Sequence, residues 1–407
     1  MRSAPDLFES ARQDGEGRLE LLRWLETRLL AEHGLRHPVE RRRLAEAIAD
    51  ELADYGPLAP LMRDPTVNDI LVNGPKAVFV ERLGQLQRTS IRFRDAAHLE
   101  ALIQRIVAPL GRRIDRSQPY VDARLPDGSR VHAVIAPLAL GGPYLTIRKF
   151  SREPLTPARL VELGTWSAEL ARWLAVAVRS RCNLLVSGGT GSGKTTTLNA
   201  LASFIPGGRE RLITVEDDAE LLLQQEHVVR LEARPANVEG RGEVTIRELV
   251  RNALRMRPDR IIIGELRGAE AFDWLTALNT GHEGALSTLH ANSASDALER
   301  VANMVLMAGA DLPYAAILQQ VGAGLDLVLH QARLGDGSRR LLEVGAVELA
   351  GGRALIRTLW RWNHRASRFE SLPAELPARL REKAARAGER WPMAGVAEAP
   401  QGRGRAA

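Results

Sequence analysis

Gly188-Gly189-Thr190-Gly191-Ser192-Gly193-Lys194-Thr195 decides how this 407-residue chain is read. It fits G-x-x-x-x-G-K-[ST], the pattern of a loop that wraps phosphate. The only lysines are Lys76, Lys149, Lys194 and Lys383. With lysine so scarce, the residue frequencies predict about 0.002 chance matches to the template. The apolar run Leu184-Leu185-Val186 leads in as a strand, and Thr195 to Leu201 leads out as a helix. Glycines carry no Cβ, so backbone N–H groups can close around phosphate oxygens. The N-terminus of the following helix faces the same anion. Lys194 then sets a point charge on the β- and γ-phosphates of a nucleotide, and the Thr195 hydroxyl suits Mg²⁺. Gly188, Gly189, Thr190, Gly191, Ser192, Gly193, Lys194, Thr195 and Thr196 are the expected binding set.

Working outward, other apolar strands end in polar groups. Arg260-Ile261-Ile262-Ile263-Gly264-Glu265 delivers a carboxylate to the end of a strand, where a parallel sheet presents its ligand crevice. Glu265 is placed to orient or deprotonate an attacking water. Gly264 stands where an aspartate usually helps hold the metal. A second acid is therefore needed, and Leu212-Ile213-Thr214-Val215-Glu216-Asp217-Asp218 offers Glu216, acting on Mg²⁺ or on its waters. Gly284-Ala285-Leu286-Ser287-Thr288-Leu289-His290 ends a third strand with His290, where a γ-phosphate can be sensed. His282 in Asn279-Thr280-Gly281-His282 reads more readily as a structural residue. The nine histidines have no metal-ligand spacing, so the only metal expected is nucleotide-bound Mg²⁺.

The rest of the chain organises around this region. Residues 1–50 read as a helical arm, with Leu22, Leu25 and Leu29 at helical spacing. Residues 51–150 read as a small α+β domain. Its strands include Asp69–Val72, Ala77–Val80, Arg130–Ile135 and Tyr144–Arg148, and residues 96–110 form an amphipathic helix. Residues 151–163, with Pro154 and Pro157, read as a linker. Residues 164–363 alternate helices with short apolar strands and close with an antiparallel series from 325 to 362, which predicts an α/β fold with a parallel central sheet. Residues 364–407, rich in Arg, Ala, Pro and Gly, read as a flexible basic tail.

Composition removes several classes. Apolar residues are 45% and charged residues 26%, as in a folded globule. The single cysteine, Cys182, excludes a disulfide framework and any cysteine-based zinc site. No apolar run approaches the ~20 residues of a membrane helix. Met1 to Asp6 lacks the apolar core of a secretory signal, so the cytoplasm is the expected compartment. The net charge is +6, but 50 acids nearly balance 56 bases, and all but four of those bases are arginine. Aromatics are only 4%, and no basic and aromatic stacking platform is present, so no direct nucleic-acid partner is expected.

Taken together, the loop at 188–195, the acidic box at 214–218, the strand at 260–265 and the histidine box at 284–292 resemble the secretion-ATPase superfamily of type II secretion, type IV pilus and type IV secretion motors. The resemblance runs from about Tyr55 to about Glu348. Leu254 to Arg260, Asn279 to His282 and Val121 to Arg130 are most similar to the Flp/Tad pilus assembly ATPases of the CpaF type. The four-cysteine zinc element usual in type II secretion and pilus extension ATPases has no counterpart here. The resemblance implies a RecA-like ATPase domain and a homo-hexamer on the cytoplasmic face of the inner membrane. It implies ATP and Mg²⁺ as ligands and an inner-membrane platform protein as partner, with membrane association only through such partners. It also implies that Arg130 and Arg148, with Arg124 as a weaker third, reach the γ-phosphate from the α+β domain. A type IV secretion ATPase moving effectors or DNA, or a pilus retraction ATPase, shares the same chemistry.

Overall fold

The computed structural model describes residues 7–392, apart from 9, 12–14, 83, 151–153, 235, 237–240 and 373–374. The chain divides into two compact units, Met1–Ser151 and Arg152–Ala407.

The first unit opens with a helical hairpin, α1 (Gly15–His33) and α2 (Pro38–Ala53). The expected helical stretch is broken where Gly34 takes φ +61° and Pro38 begins the next helix, with His37 as its cap. Leu21, Leu22, Leu25 and Leu29 pack on Ala45, Ala49 and Ala53. Arg63 then ties α2 to the rest of the unit, bonding Asp50 at 2.7 Å and Asp54 at 2.9 Å from the short helix α3 (Ala59–Arg63). The strands β1 (Val67–Asn73), β2 (Val78–Arg82) and β3 (Gln85–Arg88) follow, then α4 (Ala96–Val107), β4 (Tyr120–Arg124), β5 (Arg130–Val134) and β6 (Tyr144–Arg148). They form an antiparallel sheet in the order β3-β2-β1-β6-β5-β4. Its inner face, with Ile70, Val72, Val131, Leu145 and Ile147, packs on Leu99, Leu102 and Ile103 of α4. The exposed strand β3, Gln-Leu-Gln-Arg, carries no buried face and so no alternation to read from sequence.

The second unit runs α5 (Pro157–Glu162), α6 (Ala168–Arg179), β7 (Leu184–Gly188), α7 (Lys194–Ala202), β8 (Leu212–Glu216) and β9 (Val228–Glu232). It continues with α8 (Ile246–Ala253), β10 (Arg260–Leu266), α9 (Glu270–Asn279), β11 (Leu286–Leu289), α10 (Ala294–Met307) and α11 (Tyr314–Gly324). It closes with β12 (Leu327–Arg333), β13 (Arg339–Ala350), β14 (Arg353–Asn363), β15 (Arg368–Ser371) and α12 (Ala378–Arg386). Six strands are parallel in the order β12-β7-β11-β10-β8-β9, and β13, β14 and β15 extend the β12 edge antiparallel. Alternate residues feed two cores. Leu185, Ile213, Ile263 and Leu289 face α8 to α11, and Leu184, Leu212, Ile262 and Leu286 face α6, α7 and α12. A parallel sheet needs both faces covered, which explains the near-continuous apolar strands.

Two expected segments differ. Half of the 151–163 linker is α5, capped by the Thr156 side chain, while residues 151–153 lie outside the described residues. The stretch from 364, expected to be a flexible tail, instead carries β15 and α12 and continues to Trp391, which meets Trp173 at a ring separation of 4.6 Å. Its bases are engaged at long range: Lys383 bonds Asp326 at 2.8 Å. Local composition cannot show such partners. Residues 393–407 lie outside the described set.

Candidate nucleotide site

The loop between β7 and α7 is shaped by its glycines. Gly191 takes φ +70° and Gly193 takes φ +93°, both in the left-handed region. A Cβ on Gly193 would sit 2.9 Å from Gln331 Nε2, and one on Gly188 would overlap the Gln331 carbonyl oxygen. Gly193 is also the N-cap of α7, and no side chain caps that helix. Its first-turn N–H groups have no carbonyl one turn back, so the helix presents donors and the positive end of its dipole to the loop. Ser192 is buried, with an Oγ that has no hydrogen-bond partner. Thr195 and Thr196 are half-buried on the first turn. A glycine cradle, an uncapped helix start and a lysine together fit a polyphosphate.

Lys194 Nζ donates to Gly188 O at 3.1 Å and Gly189 O at 3.0 Å, and lies 3.4 Å from each ring nitrogen of His290. Burial holds its pKa below the usual lysine value, against the opposing pull of Glu265. His290 is also lowered, by burial and then by the Lys194 charge.

Glu265 stands near the end of β10. Its Oε2 accepts from Arg267 at 2.7 Å. Its Oε1 lies 2.8 Å from His290 Nε2, yet it is buried and accepts no well-directed hydrogen bond. Arg267 also reaches Asp217 at 3.2 Å. The loop and the ends of β10 and β11 therefore bring Lys194, His290 and Glu265 into one cluster.

Glu216 ends β8 and is almost fully buried. Its Oε2 accepts the N–H groups of Glu220 and Leu221, each at 2.8 Å, and Oε1 has no partner. Desolvation pushes its carboxyl up to about 7. A Cβ on Gly264 would fall 2.9 Å from Glu216 Cγ. The absent aspartate is thus explained: β8 and β10 pair side by side, and Glu216 fills the space a side chain at 264 would need. Thr288 Oγ1 then donates to Gly264 O at 2.6 Å, tying β11 to the same point. Among the described hydrogen bonds and ion pairs, the Glu216 side chain bonds its own following turn and reaches neither Lys194 nor His290. His282 closes the turn after α9 through its N–H to Ala277 O. It belongs to no part of the cluster.

Sequence reading overlooked Arg267, Gln331 and Arg339. Gln331 is the detectable one, a polar residue on the apolar strand β12 and buried there.

In the first unit, Arg124, Arg130 and Arg148 are direct cross-strand partners on β4, β5 and β6, and Asp69 on β1 completes the row. Direct partners share a face, and this one lies opposite the buried face. Arg148 Nε bonds Asp69 at 3.0 Å. Sequence reading selected these arginines singly; the register aligns them.

The family model described as Type II/IV secretion system protein matches residues 51–341. A putative conjugal transfer protein of Mycobacterium tuberculosis is 42% identical over 316 residues, 76% of this chain and 89% of its own length. A type IV secretion system protein, PtlH, of Bordetella pertussis is 37% identical, covering 70% and 91%. The X-ray structure of the Legionella pneumophila ATPase DotB aligns with a TM-score of 0.51 at 22% identity, over 70% of this chain and 78% of that one, and so shares the fold. That fold is the RecA-like P-loop unit with its parallel sheet, preceded by the α+β unit and the helical arm. The chain belongs to the type II/IV secretion system protein family.

Proposed function

We propose that this protein hydrolyses ATP and uses the energy to drive a secretion or pilus apparatus as a homo-hexamer. The observation that carries the reading is the Lys194, His290 and Glu265 cluster beside the phosphate loop. Lys194 leaves the loop carbonyls to bind phosphate oxygens. Glu265 holds its Oε1 in a buried position without a directed hydrogen bond, suited to accept a proton from water, while Arg267 fixes Oε2. His290 bridges the lysine and the carboxylate and is suited to report the presence of the terminal phosphate. Mg²⁺, held by the Thr195 hydroxyl and through water by Glu216, would neutralise phosphate charge. Arg130 and Arg148, with Arg124, supply guanidinium groups to the same phosphates.

The apparatus is first read as a Flp/Tad-type pilus, moved through an inner-membrane platform protein, on the wording of residues 121–130, 254–260 and 279–282. The conjugal-transfer and type IV secretion names of the relatives favour a second reading, a type IV secretion motor. Attachment through partners at the cytoplasmic face belongs to the same reading. Among the described residues no helix is long and apolar enough to cross a membrane.

Steady-state phosphate release tests the reading. The wild type should turn over ATP, faster with the cognate platform protein, and Lys194→Ala should lose turnover. Normal hydrolysis in Lys194→Ala would remove this site. Arg130→Ala and Arg148→Ala should lower turnover more than nucleotide affinity, and an unchanged rate in both would dismiss the arginine row.

A further inference from the structure

The phosphate loop needs support beyond its own contacts. Its glycines lack a Cβ, so the free segment has many conformations open to it, and two of them are held in the left-handed region. Something outside the loop fixes it, and the contacts lead to the β12–β13 hairpin. Gln331 lies on β12 and is 1% exposed. Its Nε2 donates to Ser192 O, and its Oε1 accepts from Thr197 Oγ1 at 2.6 Å. A backbone carbonyl can only accept, so the amide has one orientation, and the Thr197 hydroxyl locks it. Thr197 is itself fully buried on α7. Arg339, at the start of β13, donates Nε to Gly191 O at 3.0 Å.

We propose that Gln331, braced by Thr197 and assisted by Arg339, is the positioning residue that aims the phosphate-binding N–H groups of the loop. The physical link is the peptide plane. In a trans peptide the C=O of one residue and the N–H of the next point in opposite directions. Gln331 draws the Ser192 carbonyl toward the hairpin, so the Gly193 N–H is turned away from it, toward the concave side. Arg339 does the same for the Gly191 carbonyl and the Ser192 N–H, which also has a long contact of 3.4 Å to Gly189 O. Lys194 meanwhile holds the carbonyls of Gly188 and Gly189. When Lys194 moves to phosphate, those two contacts are lost, and the hairpin contacts remain as the fixed side of the cradle. The glycine at 193 is needed twice: for its dihedral, and because a Cβ there would press on the Gln331 amide.

The inference rests on the ATP-binding reading above. Its test measures Mg-ATP and Mg-ADP affinity by titration, and KM and kcat by phosphate release, on the full chain. Gln331→Met keeps the length and removes both hydrogen bonds. It should raise Kd and KM about tenfold while kcat at saturating ATP stays within about twofold, since the chemistry groups are untouched. Thr197→Val, a milder change, should raise Kd about threefold. Gln331→Glu turns an acceptor toward the Ser192 carbonyl and should bind more weakly than Gln331→Met. Thr197→Ser, which restores the hydroxyl, should recover wild-type affinity. Wild-type Kd in Gln331→Met or Thr197→Val would overturn the proposal, as would equal losses in Thr197→Val and Thr197→Ser. If Gln331→Met does not fold, the Thr197 pair decides alone. Failure of the wild type to bind ATP would instead sink the function reading. Normal binding in Gln331→Met beside lost binding in Lys194→Ala would sink only this inference.

Discussion

At the N-terminal ends of the parallel strands in the second unit, Asp326, Arg260 and Asn183 are tied into dense networks; at the C-terminal ends the buried carboxylates have fewer partners. Asp326, just before β12, accepts from the Asn183 N–H at 2.7 Å, from Lys383 at 2.8 Å and from Arg379. Arg260, at the start of β10, pairs with Glu210 and donates to Val178 O at 2.8 Å. Asn183 accepts from Gly284 and Ala285 and donates to Gly324 O, so three strand entries share one side chain. At the opposite end, Glu216 keeps a buried carboxylate oxygen without a hydrogen bond, Glu265 Oε1 meets His290 at 2.8 Å without a well-directed one, and Lys194 is held below its usual pKa. Satisfied buried charges specify and support the fold, while unsatisfied ones are kept where a ligand or reaction will use them. On the proposed function, the two ends of one sheet differ in use: Asp326 and Arg260 support the fold, and Glu265 and Lys194 serve the nucleotide.

The largest expected effect lies at the structural end. Asp326→Ala leaves Lys383 and the Asn183 N–H without their acceptor and should cost on the order of 3–5 kcal/mol. Urea unfolding measures this, and a loss under about 1 kcal/mol would break the contrast. Next is the chemical end, where Glu265→Gln should bind ATP but turn over roughly a hundredfold slower. Its unfolding midpoint should stay near wild type, because the glutamine amide oxygen can still accept from Arg267. A large stability loss with intact kcat would reverse the assignment.

The smallest effect sharpens the comparison through pH. The Glu216 carboxyl titrates near 7 in the folded chain, above its ordinary 4.5. The folded state therefore binds more protons than the unfolded state between these values, and stability falls as pH rises from about 4.5 to 7. Glu216→Gln escapes this. It should gain roughly 2 kcal/mol over wild type at pH 8 and lose that advantage toward pH 5. Parallel stability curves for the two proteins across this range would show that Glu216 is not strained by burial.

Sequence reading reached far where the physics was local. The glycine pattern, the one lysine of the loop, and Glu265 and His290 at strand ends are legible by residue type and spacing, and the fold brings Lys194, His290 and Glu265 together. The apolar strands of the parallel sheet were equally plain, because burial on two faces leaves an unbroken apolar run. Reading failed where partners are distant. The segment beyond residue 364 looked like a basic tail because Asp326, the partner of Lys383, lies 57 residues away. The β3 and β9 strands carry too few buried residues to alternate.

The sequence by itself determined the residue types and their spacing: a glycine-rich loop with one lysine, a carboxylate at a strand end, and the order of strands and helices that brings them to one edge. Only the tertiary structure decided what completes them. The register of three strands puts Arg124, Arg130 and Arg148 in one row. The pairing of β8 with β10 makes Gly264 the space for Glu216. The return of β12 beside β7 sets Gln331 beneath the loop. Residue type and short spacing encode what a side chain can do. Register and strand order, set by burial over the whole sheet, fix which side chains meet.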